Sequence, residues 1–435
     1  MKNFKNFILT LLISIIFIYS FSTTVSADGA PPLSTEGVVI INSNTGQVVY
    51  EKNPDTKYFP ASTTKILTAL IVLENCNLDE KVTVGEKPPF ADGSSVGLRT
   101  GEVYTVKEIL TGLLLESGND CAEVLAEHVS GSVEKFAELM NTRAKEIGAT
   151  NSNFKNPSGL PDEEHYTTAR DLALLMNEAI KNPTFVEITR TRTFNMQPST
   201  IDGFVRIVNN GNKILFPEYS NYYYEYSVAS KKGYTTVAGF TNIISCSKDG
   251  ATYVGSFLKG ENINNVYSDV KTVFNYVFNN FKENKIYTEG EQVGSFDIDD
   301  KTSVPLLIES DISYILENNS TSTINKEIKF DPPTNLNKQS FKRGDVLTTG
   351  KVYVNNKEYC TVNLVSGINR TYSPEKKEVS SGFFQDNKFV LGVFGAIILL
   401  LIIRIINVRN RKIRRRKAYI EKKKKYQNKK GGNPY

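Results

Sequence analysis

The hydrophobic pattern of this 435-residue chain predicts an α+β domain, a small all-β domain after it, and one apolar helix near the C-terminus. Three observations carry that reading. Strand-like runs open and close the first part of the chain, with helical periodicity between them. From residue 285 the apolar runs become short and are separated by polar turns. Phe389 to Ile403 is fifteen residues without a charge.

Lys2 and Lys5 precede the mostly apolar stretch Phe7–Phe21, and Val25-Ser26-Ala27 has the small-x-small form of a cleavage site. Residues 1–27 are therefore expected to be a secretion signal, with Asp28 as the first mature residue. Gly37-Val38-Val39-Ile40-Ile41 reads as a buried strand, Asn44 to Gln47 as a turn, and Val48-Val49-Tyr50 as its return. Ser62 to Glu74 carries apolar residues at Ile66, Leu67, Leu70, Ile71 and Leu73, the spacing of a buried helix. Thr105–Leu115, Cys121–Val129, Ser132–Ile147 and Thr168–Ile180 continue in helical style. Val237–Cys246 and Thr252–Leu258 flank Lys248-Asp249-Gly250 as a second hairpin, and Val266–Phe281 reads as a closing helix. Strands, then helices, then strands place one sheet between the two ends of the segment. The β-like runs that follow are Gln292–Gly294, Val304–Ile308, Val346–Leu347 and the hairpin Val352–Val354 with Tyr359–Val365.

These divisions give a signal peptide at 1–27, an α+β domain at 28–284, a β-rich domain at 285–370, a tether at 371–388, a membrane helix at 389–408 and a basic tail at 409–435. The helix is about 20 residues long if Arg404 snorkels, which is enough to cross a bilayer. The cations after it are expected to hold the tail in the cytoplasm and leave the body outside.

Charge is divided along the same lines. Arg404 to Lys430 holds fourteen Lys/Arg and one acid, a net +13, and Lys2 and Lys5 add +2. The formal total is +5, so the body at 28–403 carries 5 − 13 − 2 = −10. An acidic body argues against a nucleic-acid surface. Two histidines, His128 and His165, argue against a histidine-rich metal site. Cys76, Cys121, Cys246 and Cys360 are widely spaced with no CxxC, and the reading favours free thiols.

Pro60-Ala61-Ser62-Thr63-Thr64-Lys65 puts a serine and a lysine three apart at a helix start. At 100° per residue they share a face, so the lysine amine reaches the serine hydroxyl and can serve as its base in place of histidine. Ser117-Gly118-Asn119 follows an apolar run and offers a hydroxyl and an amide from a loop. Lys231-Lys232-Gly233-Tyr234-Thr235 leads towards the Val237 strand and offers cations on an edge strand, with a glycine that lets a ligand approach the backbone. Each motif alone also fits a helix start, a turn between helices, or a solvated basic turn.

In this order, the three resemble the S-x-x-K, S-D-N and K-T-G set of penicillin-binding proteins and class A β-lactamases. The likeness is to the low-molecular-mass D-alanyl-D-alanine carboxypeptidases. Gly97–Glu102, Leu115–Asp120, Asn156–Pro161 and His165–Asp171 also look like that family's blocks. The resemblance implies a transpeptidase-type domain, an antiparallel sheet with helices on both faces, followed by a small all-β domain and a membrane attachment. It implies that Ser62 is the nucleophile, Lys65 the base, Ser117 a proton relay and Asn119 a holder of Lys65 and the substrate amide. Lys231, Lys232, Gly233, Tyr234 and Thr235 would bind substrate, with the Ser62 and Tyr234 N–H groups as oxyanion hole. The implied substrate is a peptidoglycan stem peptide ending in D-Ala-D-Ala. β-Lactam antibiotics would be inhibitors, and no metal or organic cofactor is implied.

Two positions depart from the pattern. Lys232 stands where the family has threonine, and Ser230 stands where it tends to have an aliphatic residue. Lysine there either supplies charge to the substrate carboxylate or obstructs the site. A non-catalytic or weakly active wall-binding homologue is the alternative this substitution leaves open. A β-lactamase is disfavoured, because no deacylating glutamate block is evident.

Overall fold

A computed structural model describes residues 29–299, 302–318, 324–333, 336–373 and 388–428. The signal peptide expected at 1–27 and residues 374–387 of the expected tether lie outside the described residues.

The described chain opens on a hairpin, β1 (Gly37–Asn42) and β2 (Val48–Lys52). A 3-10 turn over Ala61–Thr64 runs into helix α1 (Lys65–Asn75), so the single helix expected from Ser62 is split at its first turn. A ribbon of β3 (Lys81–Thr83) and β4 (Val103–Thr105) precedes α2 (Val106–Leu115), α3 (Asn119–Ser130) and α4 (Val133–Ile147). Helices α5 (Ala169–Ala179) and α6 (Pro183–Arg190) follow, then a ribbon of β5 (Thr193–Asn195) and β6 (Ile207–Asn209). Strands β7 (Ser227–Thr235), β8 (Gly239–Lys248) and β9 (Ala251–Gly260) lead to α7 (Ile263–Asn280).

Local sequence sets these boundaries. Thr105 accepts the Glu108 N–H while the Glu108 carboxylate accepts the Thr105 N–H, a capping box that starts α2. Gly131 and Gly148 end α3 and α4 at φ of 79° and 94°, where a side chain would be strained. Helix α6 was not expected. Yet Asn182 caps it through the Thr184 N–H and Pro183 occupies its first turn, a helix-start signature present in the sequence.

The main sheet has the order β2-β1-β9-β8-β7, with every neighbour antiparallel. Period-two alternation sends its side chains to two cores. Val39, Ile41, Ile243, Val254 and Leu258 pack with the helices α1 to α6. Val38, Ile40, Ile244, Tyr253 and Phe257 pack with α7. Each fully buried aliphatic or aromatic side chain contributes about 1.5–3 kcal/mol, so both faces must be covered by helices. The Asp249-Gly250 turn, at φ of 51° and 83°, is the left-handed pair that a two-residue hairpin demands. It fixes the register of β8 on β9. Strand β7 is one of the sheet's two edges, with β2 at the other.

Phe281 does not close α7. It begins β10 (Phe281–Tyr287), which pairs with β13 (Ile312–Glu317). The other β-rich strands are β11 (Gln292–Asp299), β12 (Thr302–Ile308), β14 (Lys326–Phe330), β15 (Val346–Val354) and β16 (Lys357–Ser366). They form a sheet of order β11-β12-β16-β15-β14. Buried Gln47, in the β1–β2 turn, ties this region to the main sheet: its Oε1 accepts the Ile315 N–H at 2.7 Å and the Tyr359 hydroxyl at 3.3 Å.

Helix α8 (Lys388–Asn428) forms a unit of its own. It continues past residue 408, where the membrane helix was expected to end, so the described part of the basic tail is helical too. At 1.5 Å per residue, 41 residues reach about 60 Å, roughly twice a hydrocarbon core. By length and composition its apolar part can cross a membrane.

Candidate active site

Ser62 lies in the 3-10 turn ahead of α1, and from Pro60 to Val72 every other side chain is buried. Ala61, just before it, is held at φ 50°, an uncommon conformation for a residue with a side chain. One turn on, the Lys65 ammonium is fully enclosed. It donates to Ser62 Oγ at 3.1 Å, Asn119 Oδ1 at 2.6 Å and the Ser158 carbonyl at 2.7 Å. Burial drags its pKa down to about 7, against the opposing pull of Cys121 and Asp120. A lysine held there is divided between acid and base forms near neutrality.

Ser117 sits in a left-handed turn at φ 65°. Its Oγ accepts a hydrogen bond from Lys231 Nζ at 2.8 Å. Asn119 is the first residue of α3, not part of a loop as expected, which fixes its direction by the helix. Its Oδ1 faces Lys65, and its Nδ2 already donates one hydrogen to the Asp92 carbonyl. Lys231 is fully buried, and its other acceptor is the Lys232 carbonyl at 3.1 Å. Burial, then repulsion from Lys65 and Lys232, holds its pKa well below the lysine range.

The third motif lies inside β7, on the sheet's edge, and does not merely lead into a later strand. Val237 belongs to the turn beyond it. Gly233 also meets a packing demand that the sequence did not announce. A Cβ there would meet Ser62 N at 2.7 Å, Thr241 Oγ1 at 2.6 Å and Ala61 Cβ at 3.1 Å. The glycine therefore makes room for the enzyme's own nucleophile turn. Tyr234 follows at 56% exposure, its ring against Phe240 with centroids 4.5 Å apart. The Thr235 hydroxyl accepts the Ala238 N–H at 3.1 Å and so closes the β7–β8 turn. Lys232 leaves the strand the other way from Lys231 and lies along Gly211. Ser230, in the position expected to be aliphatic, is buried and donates to Asn242 Oδ1 at 3.0 Å.

Sequence reasoning assigned no role to Asn156-Pro157-Ser158-Gly159. The structure brings this block to Lys65. Asn156 Oδ1 gathers the N–H groups of Ser158, Gly159 and Leu160 at 3.2, 2.7 and 3.1 Å. That turn aims the Ser158 carbonyl at Lys65. Gly159, at φ 86°, lies so close to the nucleophile turn that a Cβ would fall 1.8 Å from the Ala61 carbonyl oxygen. The only sequence signal was a run of turn-forming residues, since a carbonyl ligand has no residue signature.

His165 is buried and touches none of the reacting groups. The Lys155 N–H donates to its Nδ1 at 3.2 Å, which leaves the proton on Nε2 for Thr64 Oγ1 at 3.1 Å. Burial lowers its pKa to about 4, so it is a neutral brace beneath the nucleophile turn. Arg170 pairs with Glu51 and Asp55, and Asp171 takes the Asn151 N–H and the Ser152 hydroxyl, a packing arrangement at the start of α5. All four cysteines are free thiols.

A partly accessible serine bonded to a buried lysine that an asparagine also holds, with a second buried lysine bonded to a second serine, is the equipment of a serine acyl-transfer enzyme that works without histidine. Comparison with known proteins gives the same class. Residues 23–259, more than half of the chain, match the D-alanyl-D-alanine carboxypeptidase family, and 281–370 match the C-terminal domain of penicillin-binding protein 5. D-alanyl-D-alanine carboxypeptidase DacF of Bacillus subtilis is 31% identical over 66% of this chain and 75% of its own length. The D-alanyl-D-alanine carboxypeptidase of Streptomyces sp. strain K15 is 32% identical over 59% of this chain and 91% of its own. Among solved structures, penicillin-binding protein 5 of Haemophilus influenzae superposes with a TM-score of 0.64 at 24% identity, covering 79% of this chain and 99% of that one, a likeness of fold. The chain belongs to the D-alanyl-D-alanine carboxypeptidase family and is a serine peptidase of that kind.

Proposed function

We propose that this chain removes the terminal D-alanine from peptidoglycan stem pentapeptides through an acyl-enzyme on Ser62. The observation that carries the reading is the 3.1 Å bond from Lys65 Nζ to Ser62 Oγ, made by a lysine whose pKa burial has brought to about 7. Neutral Lys65 takes the Ser62 proton as Oγ attacks the carbonyl carbon of the penultimate D-alanine. The oxyanion is met by the N–H groups of Ser62 and Tyr234, such donors contributing about 3 kcal/mol each. Ser117, to which Lys231 donates, relays the proton taken by Lys65 to the departing amine as the C–N bond breaks, so that Lys65 returns to its neutral form. Water then opens the ester and restores Ser62. Asn119 keeps Lys65 aligned, and its remaining amide hydrogen is free for the substrate's amide carbonyl.

The same nucleophile opens a β-lactam ring and holds it as an ester. Helix α8 anchors the chain in the cell membrane as a single pass, with the catalytic body outside and the basic tail in the cytoplasm. The division into a catalytic domain at 28–284 and a β-rich domain at 285–370 is part of this reading.

The test is release of D-alanine from a synthetic pentapeptide by the full-length chain in detergent, beside Ser62→Ala. Release that the substitution abolishes is the expected result. Release that survives it, or no release by the unaltered chain, overturns the reading.

A further inference from the structure

We infer that Asn212 closes the leaving-group end of the cleft, so that one substrate residue and no more can lie beyond the scissile bond. The inference rests on the D-Ala-D-Ala reading above. It narrows the substrate class to stem peptides with a free D-alanine end and excludes those extended beyond it by further residues or a cross-link.

The site itself gives the direction of the bound peptide. Its scissile carbonyl lies at the Ser62 and Tyr234 N–H groups, and its departing amine at Ser117. Ser117 Oγ is bonded to Lys231 Nζ at 2.8 Å, so the leaving residue lies on the Lys231 side of Tyr234. The peptide therefore runs antiparallel to β7, towards the strand's earlier residues.

In an antiparallel ladder every second residue points its N–H and carbonyl to the same side. Tyr234 and Lys232 thus share the outer edge of β7, about 6.6 Å apart. The backbone N–H of Lys232 points away from β8, which confirms that parity. With the penultimate D-alanine opposite Tyr234, the leaving D-alanine lies opposite Gly233. A further residue would lie opposite Lys232.

That place is taken. The Lys232 N–H donates to Asn212 Oδ1 at 2.9 Å, and the Lys232 carbonyl accepts Lys231 Nζ at 3.1 Å. A longer peptide would find its backbone donor spent and the Asn212 side chain where its own backbone must run.

Asn212 is held firmly in that position. Its N–H and its Nδ2 both donate to Asn210 Oδ1 at 2.9 Å. Asn210 Nδ2 donates in turn to the carbonyls of Thr189 and Thr191, at 2.8 and 3.0 Å, where α6 ends. Between the two asparagines, the Gly211 N–H donates to the Leu115 carbonyl at the end of α2, at 3.3 Å. Both asparagines are only 2% exposed. A strap pinned to α2, α6 and β7 in this way excludes a longer chain where a mobile loop would yield to it.

The experiment uses the full-length chain in detergent and two N-acetylated peptides, one ending in D-Ala-D-Ala and one in D-Ala-D-Ala-Gly. Chromatography with mass spectrometry separates D-alanine, glycine and the dipeptide D-alanyl-glycine. Release of the dipeptide means that Ser62 was acylated two residues from the end, whereas release of glycine respects the stop. The unaltered chain is expected to release the dipeptide at least about a hundredfold more slowly than it releases D-alanine from the first peptide. Asn212→Gly and Asn212→Ser shorten the side chain and should raise the ratio of dipeptide to D-alanine release about tenfold or more. Asn212→Asp keeps the acceptor and should hold the ratio low. Dipeptide release by the unaltered chain at a rate near that of D-alanine overturns the inference, and so does an unchanged ratio in both shortened variants. A benzylpenicillin adduct on Ser62, measured for each variant, shows that its site is folded. Where neither shortened variant forms one, the discrimination by the unaltered chain decides. D-Alanine release and an adduct together with an unchanged ratio sink the role of Asn212 alone. Neither release nor adduct in the unaltered chain sinks the D-Ala-D-Ala reading, and this inference with it.

Discussion

Gly233 rests against the backbone of Ser62, so close that a methyl group on it would stand 2.7 Å from the Ser62 nitrogen. The edge strand and the turn that carries Ser62 are thereby locked together at the place where the two proposed oxyanion donors, the Ser62 and Tyr234 N–H groups, originate. Gly233→Ala must push β7 away from Ser62. The expected result is a fall of about 10²–10³ in the rate of acylation by benzylpenicillin, the size of effect that loss of an oxyanion donor produces. The accompanying stability loss should be about 1–3 kcal/mol, as for other overpacked contacts, measured by denaturant unfolding.

The pH dependence of kcat/KM follows from Lys65. The base must be neutral, and burial holds its pKa at about 7. Activity should therefore rise with pH through an acid limb near 7 and level off above it. In Lys65→Ala the limb should vanish along with about 10²–10⁴ of the rate. A limb near 10 in the unaltered enzyme would show that Lys65 is not the base.

The same group makes stability depend on pH with a defined sign. Lys65 has a folded pKa of about 7 and an ordinary value of 10.5. Between them the unfolded chain binds a proton that the folded chain does not, so stability rises as pH rises through that window. Lys231, also depressed by burial, adds a contribution of the same sign. Denaturant midpoints at pH 7 and pH 10 should move further apart in the unaltered chain than in Lys65→Met. Equal spacing in the two would contradict the depressed pKa.

Asn156 shapes the turn that carries one acceptor of the Lys65 ammonium. Its Oδ1 holds three N–H groups of the turn that aims the Ser158 carbonyl at Lys65. Asn156→Ala should cost about 1–3 kcal/mol of stability by leaving those groups unpaired. It should also displace the acid limb of the rate profile, which a purely structural loss would leave in place. Asn156→Asp, which keeps the acceptor, should restore the limb.

How much of this was legible depended on the kind of signal. Ser62 and Lys65 were readable because a helical i, i+3 spacing and two reactive side chains suffice to define their relationship. The third motif was expected on an edge strand, but β7 itself was not, because Lys231-Lys232-Gly233 was read as leading into a strand at Val237. Ser158 was not, since its carbonyl would serve equally from any residue. The packing demand on Gly233 was not legible, because the clash it avoids comes from a segment some 170 residues away in sequence. Asn119 was placed in a loop because Ser117-Gly118 looks like a turn, and the start of α3 one residue later has no side-chain cap to announce it. In the β-rich region, β14 escaped notice because Lys326, Glu327 and Lys329 outnumber its two apolar residues, as suits an edge strand. The hairpin of β15 and β16, by contrast, was read from its two apolar runs, and its turn residues Asn355 and Asn356 both take positive φ.

The central claim is that Ser62 is an activated nucleophile. Its most direct test is mass spectrometry of the full-length chain in detergent after incubation with benzylpenicillin, beside Ser62→Ala. The account predicts a stable adduct of the mass of the antibiotic, located on the peptide that carries Ser62 and absent from the substituted chain. An unmodified, correctly folded chain, or an adduct that persists in Ser62→Ala, would contradict it.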